Sequence, residues 1–280
     1  MTKIANLIKE LRLKTKAGFL DCKKALIANN YDLQKSILWL QEKNKVAALN
    51  RRQQTKELNQ GIVATVVDNN YGLIFKLACE TDFVAENQEF INFKDFFQAN
   101  LKNLKFQADE NKQQLTSILN LKIANQKTIQ NKIDDLIAQF KEKIVLEKLT
   151  LFSKSESQGF GYYTHNNYKN AAFIKFKNKI DFQLGKQLAM HIVAMKPIYL
   201  STKDVEPKEI EIQENLAKKN FENSKKPKFI IEKIVAGKLQ KYYQDVCLLE
   251  QSYIFNSKQT IKNVLKNINN SIINFKLYQI

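Results

Sequence analysis

A β-hairpin pattern that occurs twice limits the folds open to this chain more than any other feature. Residues 62–67 and 71–79 carry apolar residues at strand spacing, and Asp-Asn-Asn separates them. The same order recurs at 161–165 and 171–176. In both copies Asn-Asn-Tyr leads into an apolar strand, and Asp-Phe follows that strand. The recurrence predicts a duplicated unit in which one β-hairpin is followed by one helix.

The first hairpin ends in the polar stretch Glu80-Thr81-Asp82-Phe83-Val84. Phe90, Phe93 and Phe97 then fall at i, i+3 and i+7, which predicts an amphipathic helix with an aromatic face. A strand-to-helix corner lies at the surface of a rigid scaffold, where binding residues concentrate. Spacing alone leaves two roles open for Phe83: packing at the helix start or contact with a partner.

The second hairpin leads into a helix over 185–194, and Lys196-Pro197 ends it because the residue before proline avoids helical geometry. The two histidines of the chain belong to this copy. His191 falls on the apolar face of the helix and is interpreted as a core or edge residue. His165 falls at the tip of the hairpin and is a candidate partner contact.

Three short helices are predicted before the first hairpin, at 3–13, from near Gly18, and from the cap Asp32 to about residue 44. Phe19 and Leu20 begin the second helix. Two adjacent large apolar residues cannot both face one core, so either one is left for a partner or both pack within the small module. Residues 44–60 are polar and basic, which fits a linker or a solvated helix.

Elsewhere the apolar spacing is mostly helical. Residues 98–150 predict helices over the first sheet, and 207–244 predict a helical hairpin with Lys225-Lys226-Pro227 at its tip. Such an arm projects toward a partner or toward a second copy of the chain. The end of the chain predicts a strand at 246–249, a helix containing Ile261 and Ile268, and an apolar tail at 272–280.

Composition suggests two competing partners. The net charge is +17, yet only three residues are arginine and the lysines are mixed with asparagine and isoleucine along the whole chain. This pattern indicates a compositional bias and not a phosphate-binding face. A basic RNA- or ribosome-binding module remains the competing interpretation, and steep salt dependence would identify it.

The chain lacks the sequence signatures of most enzymes. It has no Gly-rich phosphate loop, and neither its histidines nor its cysteines have metal-ligand spacing. The three cysteines, Cys22, Cys79 and Cys247, are scattered and odd in number, which fits small buried residues in a reducing cytoplasm. No stretch predicts a membrane span, and residues 1–11 form a helical face and not a signal peptide. These features favour a protein that works by contact.

Two motifs resemble those of the bacterial translation elongation factor Ts (EF-Ts) family. Leu11-Arg12-Leu13-Lys14-Thr15-Lys16-Ala17-Gly18-Phe19-Leu20-Asp21-Cys22-Lys23-Lys24-Ala25-Leu26 is similar to its first signature, and Thr81-Asp82-Phe83-Val84-Ala85 matches its second. The helix ending in Lys196-Pro197 and the segment 246–251 also resemble family segments, in the right order. Lys16 stands where the family has glycine, and Gln187 stands where histidine can occur.

The resemblance implies an α+β fold with an N-terminal three-helix, ubiquitin-associated-like (UBA-like) module, a duplicated core of small antiparallel sheets with packed helices, a projecting helical hairpin and a C-terminal helix. Its implied boundaries divide the chain as follows. The module spans 1–54, the first half of the core 55–150, the second half 151–205 and 236–257, the hairpin 206–235, and the C-terminal module 258–280.

The resemblance also implies a guanine nucleotide exchange factor for elongation factor Tu, in its GDP-bound and nucleotide-free states. No covalent chemistry, cofactor, membrane or specific nucleic acid is then required, and the hairpin serves the GTPase or self-association. Three groups of residues match positions that contact the GTPase in this family. They are Thr81, Asp82, Phe83 and Val84 near GDP and Mg²⁺; Arg12, Phe19 and Leu20 in the N-terminal module; and His165 and Lys186 in the second half of the core.

Overall fold

The computed structural model describes residues 3–15, 17–101, 115–122, 128–219 and 227–280. Helices and small sheets alternate along the chain, so the fold is α+β. The chain divides into two units, residues 1–151 and residues 152–279. No helix among the described residues is long and apolar enough to span a membrane.

Three helices open the first unit: α1 (Lys3–Thr15), α2 (Phe19–Ala28) and α3 (Leu33–Arg52). The predicted cap is confirmed, because Asp32 Oδ1 accepts a hydrogen bond from the Lys35 N–H at 2.9 Å. The helices enclose a small core of Ile8, Leu11, Cys22, Ala25, Leu26 and Leu40. Helix α3 continues through the first half of the polar stretch, as far as Arg52, so the solvated-helix interpretation is correct there.

The first hairpin consists of β1 (Gln60–Val67) and β2 (Tyr71–Cys79), which pair antiparallel from Gln60↔Cys79 to Val67↔Gly72. Three short helices follow where one was predicted: α4 (Asp82–Ala85), α5 (Gln88–Ile91) and α6 (Phe93–Asn100). The predicted aromatic face is confirmed. Phe90, Phe93 and Phe97 are fully buried, and the Phe75 ring of β2 lies 5.9 Å from Phe93 and 5.0 Å from Phe97.

The prediction of helices throughout 98–150 is partly wrong. Helices α7 (Leu115–Leu119) and α8 (Ile129–Phe140) are present, but β3 (Ile144–Ser153) is a strand that pairs beside β2. Ile144 and Leu146 are buried while their neighbours are partly exposed, which is strand spacing. The charged residues inside β3 hid this alternation. Residues 102–114 and 123–127 of the same prediction lie outside the described part of the chain.

The second unit repeats the hairpin with β4 (Gly159–Thr164), β5 (Asn170–Phe176) and the following helix α9 (Phe182–Met195). Strands β4 and β5 are antiparallel neighbours, and α9 ends before Lys196-Pro197 as predicted. The helix approaches β4 closely because Gly161 faces Gly185. A Cβ added at Gly161 would lie 2.5 Å from the Gly185 carbonyl oxygen.

The predicted helical hairpin is formed by α10 (Pro207–Lys219) and α11 (Lys228–Val246). Lys225 and Lys226 of its predicted tip lie outside the described residues. The strand predicted at 246–249 is wrong: α11 runs through Val246, and a 3-10 turn occupies 248–250. Only a single parallel bridge joins Cys247 to Tyr199. The Cys247 N–H donates to the Tyr243 carbonyl at the end of α11, while the N–H groups of Leu248 and Leu249 donate to the carbonyls of Tyr199 and Leu200 without forming a regular strand.

The end of the chain contains β6 (Ser252–Tyr253), β7 (Asn256–Thr260), α12 (Ile261–Asn267) and β8 (Ile272–Gln279). The predicted helix is confirmed, and the apolar tail is a strand that pairs antiparallel with β5. The second sheet therefore has the order β4-β5-β8. The three cysteines are buried and form no disulfide among the described residues, which fits the packing role predicted for them.

Candidate partner-binding site

The chain leaves β2 at Cys79 and turns into α4 through Glu80 and Thr81. Thr81 has extended backbone geometry (φ −119°, ψ 156°), and its hydroxyl oxygen accepts a hydrogen bond from the Val84 N–H at 3.4 Å. Threonine is a favoured cap because its side chain satisfies an amide that the first helical turn leaves unpaired. The cap fixes where α4 begins and therefore which residues point outward.

Asp82 and Phe83 are the residues that this turn directs to solvent. The Phe83 side chain is 85% exposed, the largest exposed fraction given for any large apolar residue among the described positions. Asp82 Oδ1 accepts the Phe83 N–H at 2.9 Å, so its carboxylate lies beside the start of α4. Val84 is buried and its side chain belongs to the core. Of the four residues predicted here, Asp82 and Phe83 are therefore exposed, while Thr81 caps the helix and Val84 is buried.

Four residues anchor this corner, and we call them the clamp: Glu80, Thr81, Glu142 and Lys143. The Thr81 N–H and hydroxyl donate to the Glu142 carboxylate at 3.1 and 2.6 Å. In return, the Lys143 N–H donates to Glu80 Oε1 at 2.7 Å. Glu142 and Lys143 lie between α8 and β3, far along the chain from the corner. Sequence analysis missed them because no local pattern links the two segments.

Glu80 also forms an ion pair. The Lys56 ammonium donates to its other carboxylate oxygen, Oε2, at 2.6 Å. Partial burial alone would raise the pKa of Glu80, but the hydrogen bonds from Lys56 and the Lys143 N–H outweigh it and lower that pKa. Glu80 is therefore ionised in neutral solution and accepts both hydrogen bonds.

The residues predicted for the N-terminal module flank the α1–α2 turn. Phe19 and Leu20 are 52% and 69% exposed, so neither packs fully within the module. Arg12 is exposed on α1. Burial raises the pKa of the Cys22 thiol, opposed by its hydrogen bond to Thr15 and by the nearby Arg12 charge. The structure thus presents an apolar pair and a cation around one turn, and Lys16 of that turn lies outside the described residues.

His165 and Lys186 are both exposed on the second unit. His165 directly follows β4, and there its backbone N–H donates to the Asn170 carbonyl at 2.8 Å and its ring Nδ1 lies 2.9 Å from Asn167 Oδ1. Lys186 lies one turn into α9, on the exposed side of that helix. His191, by contrast, is fully buried, which confirms its interpretation as a core residue.

The exposed side chains at these positions suit binding to a partner more than covalent catalysis. An unpacked phenyl ring beside a carboxylate can displace groups in a partner, and clustered exposed apolar residues mark interaction surfaces. Within the described residues, no three His, Cys, Asp or Glu side chains converge in a geometry that could hold a metal ion.

Comparisons with known proteins converge on one family. The family model described as "Elongation factor TS" matches residues 80–280, beginning at the clamp residue Glu80. A protein named elongation factor Ts from Ureaplasma parvum is 32% identical over 280 residues, which is all of this chain and 92% of the relative. The protein of that name from Acholeplasma laidlawii is 34% identical, over 98% of this chain and 91% of the relative.

Proposed function

The chain belongs to the elongation factor Ts family, and from that premise we propose that it is the guanine nucleotide exchange factor for elongation factor Tu. It binds the GDP-loaded GTPase, disrupts the Mg²⁺/GDP site and promotes exchange of GDP for GTP during translation elongation. The observation that carries the proposal is the 85% exposure of the Phe83 ring at an anchored corner. An apolar ring held in water gains most when a partner buries it.

The mechanism is a coupling between two ligands of the GTPase. Phosphate contacts and Mg²⁺ account for most of the affinity for GDP, and a ring inserted beside that site displaces the groups that order them. Binding free energies are reciprocal, so a factor that weakens nucleotide binding is itself released when nucleotide returns. The exchange factor therefore needs neither covalent chemistry nor a cofactor.

We assign the roles as follows. Asp82 and Phe83 enter the nucleotide site, while Thr81 and Val84 hold them in place. A UBA-like N-terminal module supplies a second contact, and the second half of the core supplies a third. The residues of these two contacts are Arg12, Phe19 and Leu20, and His165 and Lys186.

The helical hairpin contacts either the GTPase or a second copy of the chain, and the sequence left the choice between these two partners undecided. Its arms expose apolar side chains, with Phe229 68% and Leu216 52% exposed. Sedimentation of the protein alone and mixed with elongation factor Tu distinguishes the two. A monomer at all concentrations that forms a one-to-one complex assigns the hairpin to the GTPase.

The direct test is release of a fluorescent GDP from elongation factor Tu. Adding this protein at stoichiometric concentration is expected to accelerate release when excess unlabelled nucleotide is present. The same assay is repeated with a small basic RNA-binding protein of similar charge as a control for nonspecific effects. Release at the spontaneous rate would refute the proposed function.

Salt dependence separates exchange from RNA binding, the alternative suggested by the charge of +17. RNA affinity falls steeply with salt because each neutralised phosphate releases counterions. An exchange complex with a large apolar contact keeps its affinity over the same range. Binding to elongation factor Tu that disappears as steeply as binding to RNA would favour the alternative.

A further inference from the structure

Glu142 lies between α8 and β3, separated from Thr81 by 61 positions, and it is half-buried. We propose that Glu142 is a positioning residue: through the clamp it holds the start of α4 so that Asp82 and Phe83 project in one orientation. The proposal rests on the proposed exchange function and adds a residue that does not itself touch the GTPase.

The geometry of the Glu142–Thr81 contact defines the orientation of the cap. The carboxylate accepts the Thr81 hydroxyl at 2.6 Å and the Thr81 N–H at 3.1 Å, one on each oxygen. Hydrogen bonds to an ionised acceptor are shorter and stronger than neutral ones. Since the hydroxyl proton is committed to Glu142, a lone pair of the same oxygen is left for the Val84 N–H.

The Glu80–Lys143 contact makes the clamp reciprocal. Each of the two segments donates to the other: Thr81 to Glu142, and the Lys143 N–H to Glu80 at 2.7 Å. The Lys143 ammonium also reaches the Gln54 carbonyl at 2.5 Å, near the end of α3. The corner is therefore tied to two other segments of the first unit and cannot swing as a free loop.

The corner needs such a tie because α4 cannot define its own geometry. It has four residues, which is far below the length at which an isolated helix is stable. Phe83 has almost no packing of its own to fix its direction. A ring that moves freely loses conformational entropy when a partner immobilises it, so a preorganised ring binds with less loss.

Glu142→Ala tests the proposal, and Glu147→Ala is its matched control. Glu147 lies in β3, five positions beyond Glu142, and pairs with Lys76 of β2 at 3.0 Å, so the control removes a nearby carboxylate whose contact lies outside the clamp. Release of fluorescent GDP is measured across a range of exchange-factor concentrations. Amide hydrogen exchange is followed in residues 80–87 of the free protein.

We expect Glu142→Ala to lower the maximal release rate about fivefold to tenfold, the effect of losing a charge-assisted hydrogen bond that preorganises a contact. Hydrogen exchange in 80–87 is expected to become faster. Glu147→Ala is expected to change the maximal rate less than about twofold, because its half-buried ion pair with Lys76 lies outside the clamp. A purely structural role for Glu142 would reduce only the fraction of folded protein, which shifts the half-saturating concentration and leaves the maximal rate unchanged.

A second set of variants identifies the bond. Glu142→Gln keeps one acceptor oxygen and is expected to recover part of the lost rate. Thr81→Val removes the hydroxyl while keeping the shape of the side chain. Because Glu142→Ala and Thr81→Val break the same contact, their effects on the release rate are expected to be less than additive when combined. Full additivity overturns the proposal.

The two proposals fail in different ways. If the unmodified protein does not accelerate GDP release, the exchange function is wrong and the clamp is judged by hydrogen exchange alone. If the unmodified protein is active and Glu142→Ala releases GDP equally fast, Glu142 has no positioning role. Unchanged hydrogen exchange over 80–87 in Glu142→Ala overturns the clamp in either case.

Discussion

The two helix starts that follow the two hairpins share the dipeptide Asp-Phe, but the dipeptide occupies different positions in each. In the first corner Thr81 is the cap, so Asp82 is the first helical residue and Phe83 the second. In the second corner Asp181 is itself the cap, since its Oδ1 accepts the Leu184 N–H at 3.0 Å. Phe182 is then the first helical residue. A shift of one position relative to the cap changes where the ring points.

The exposure of the two rings follows from that shift. Phe83 is 85% exposed, whereas Phe182 is 56% exposed and meets the Tyr162 ring edge-on at 6.1 Å. The two corners are also stabilised differently. Helix α9 has 14 residues and packs closely on β4 through Gly161 and Gly185, while the four-residue α4 depends on the clamp. The comparison indicates that the same hairpin-and-helix unit packs its Asp-Phe ring against a neighbour in one copy and leaves it exposed in the other.

The largest effect is expected where the second corner is most tightly packed. In Gly161→Ala the new Cβ would lie 2.5 Å from the Gly185 carbonyl oxygen, so α9 must move away from β4. Forcing a methyl group into such a contact costs about 3 kcal/mol of the free energy of unfolding. Urea unfolding of the variant and of the unmodified protein measures this loss of stability.

Gly237→Ala is the matched control for this substitution. Gly237 lies inside α11, and a Cβ there meets no atom within 4 Å. This variant is expected to stabilise the protein by about 0.5 to 1 kcal/mol, because alanine is the better helix former. Equal loss of stability in both variants would contradict the close-packing account of the second corner.

Phe83→Ala and Phe182→Ala are expected to have opposite consequences. Phe83→Ala slows stimulated GDP release about thirtyfold, close to the 2 kcal/mol of an interface hot spot, and leaves the unfolding free energy unchanged. Phe182→Ala costs about 1 kcal/mol of stability through the lost contact with Tyr162, and leaves release near the unmodified rate. Thermal unfolding and fluorescent GDP release on the same samples check both. Similar release rates for the two variants would remove the functional difference between the corners.

The two caps give a smaller pair of effects. Thr81→Val and Asp181→Ala each remove a side-chain cap, at about 1 kcal/mol of stability apiece. Only Thr81→Val is expected to slow GDP release, because only Thr81 orients an exposed ring and belongs to the clamp. Release slowed equally by Asp181→Ala would show that exchange follows overall stability and not the position of Phe83.

These differences show which parts of the fold the sequence could predict. The strands β1, β2, β4 and β5 were predicted because each is a short run of mostly apolar residues next to a turn sequence. The cap Asp32 and the aromatic face that contains Phe90 follow from local spacing. Strand β3 was missed because glutamate and lysine interrupt its alternation, and β8 was recognised only as apolar. Such strands are defined by their partners in the sheet and not by their own residues.

Sequence analysis named Thr81, Asp82, Phe83 and Val84, but it did not find the contacts across the chain that support this corner. The motif identified Asp82 and Phe83, and both are exposed in the structure. Glu142 could not be found, because 61 positions separate it from Thr81 and no spacing rule covers a contact formed only by folding. The difference between the Asp-Phe pairs was also hidden, since the cap that distinguishes them depends on backbone geometry.

The smallest effect concerns pH and again separates the two units. Burial lowers the pKa of His191 below its ordinary value of 6.5, against a raising contribution from its hydrogen bond to Gln251. Gln251 Oε1 lies 3.0 Å from His191 Nε2, and the Ile254 N–H faces Nδ1 at 3.4 Å. A proton added at Nδ1 would oppose that N–H donor. The folded second unit therefore excludes a proton that the unfolded chain binds.

The sign of the pH effect follows from this difference in bound protons. Below pH 6.5 the unfolded state binds more protons than the folded state at His191, so stability falls as pH falls, by at most about 1.4 kcal/mol per pH unit. Glu80 in the first unit has a lowered pKa, so its contribution is complete above its ordinary 4.5 and is lost only in stronger acid. Between these values the second unit is expected to lose stability first. Hydrogen exchange in 185–195 and in 80–87 at pH 7.5 and 5.5 measures the order, and a His191→Gln variant with the same pH dependence would contradict it.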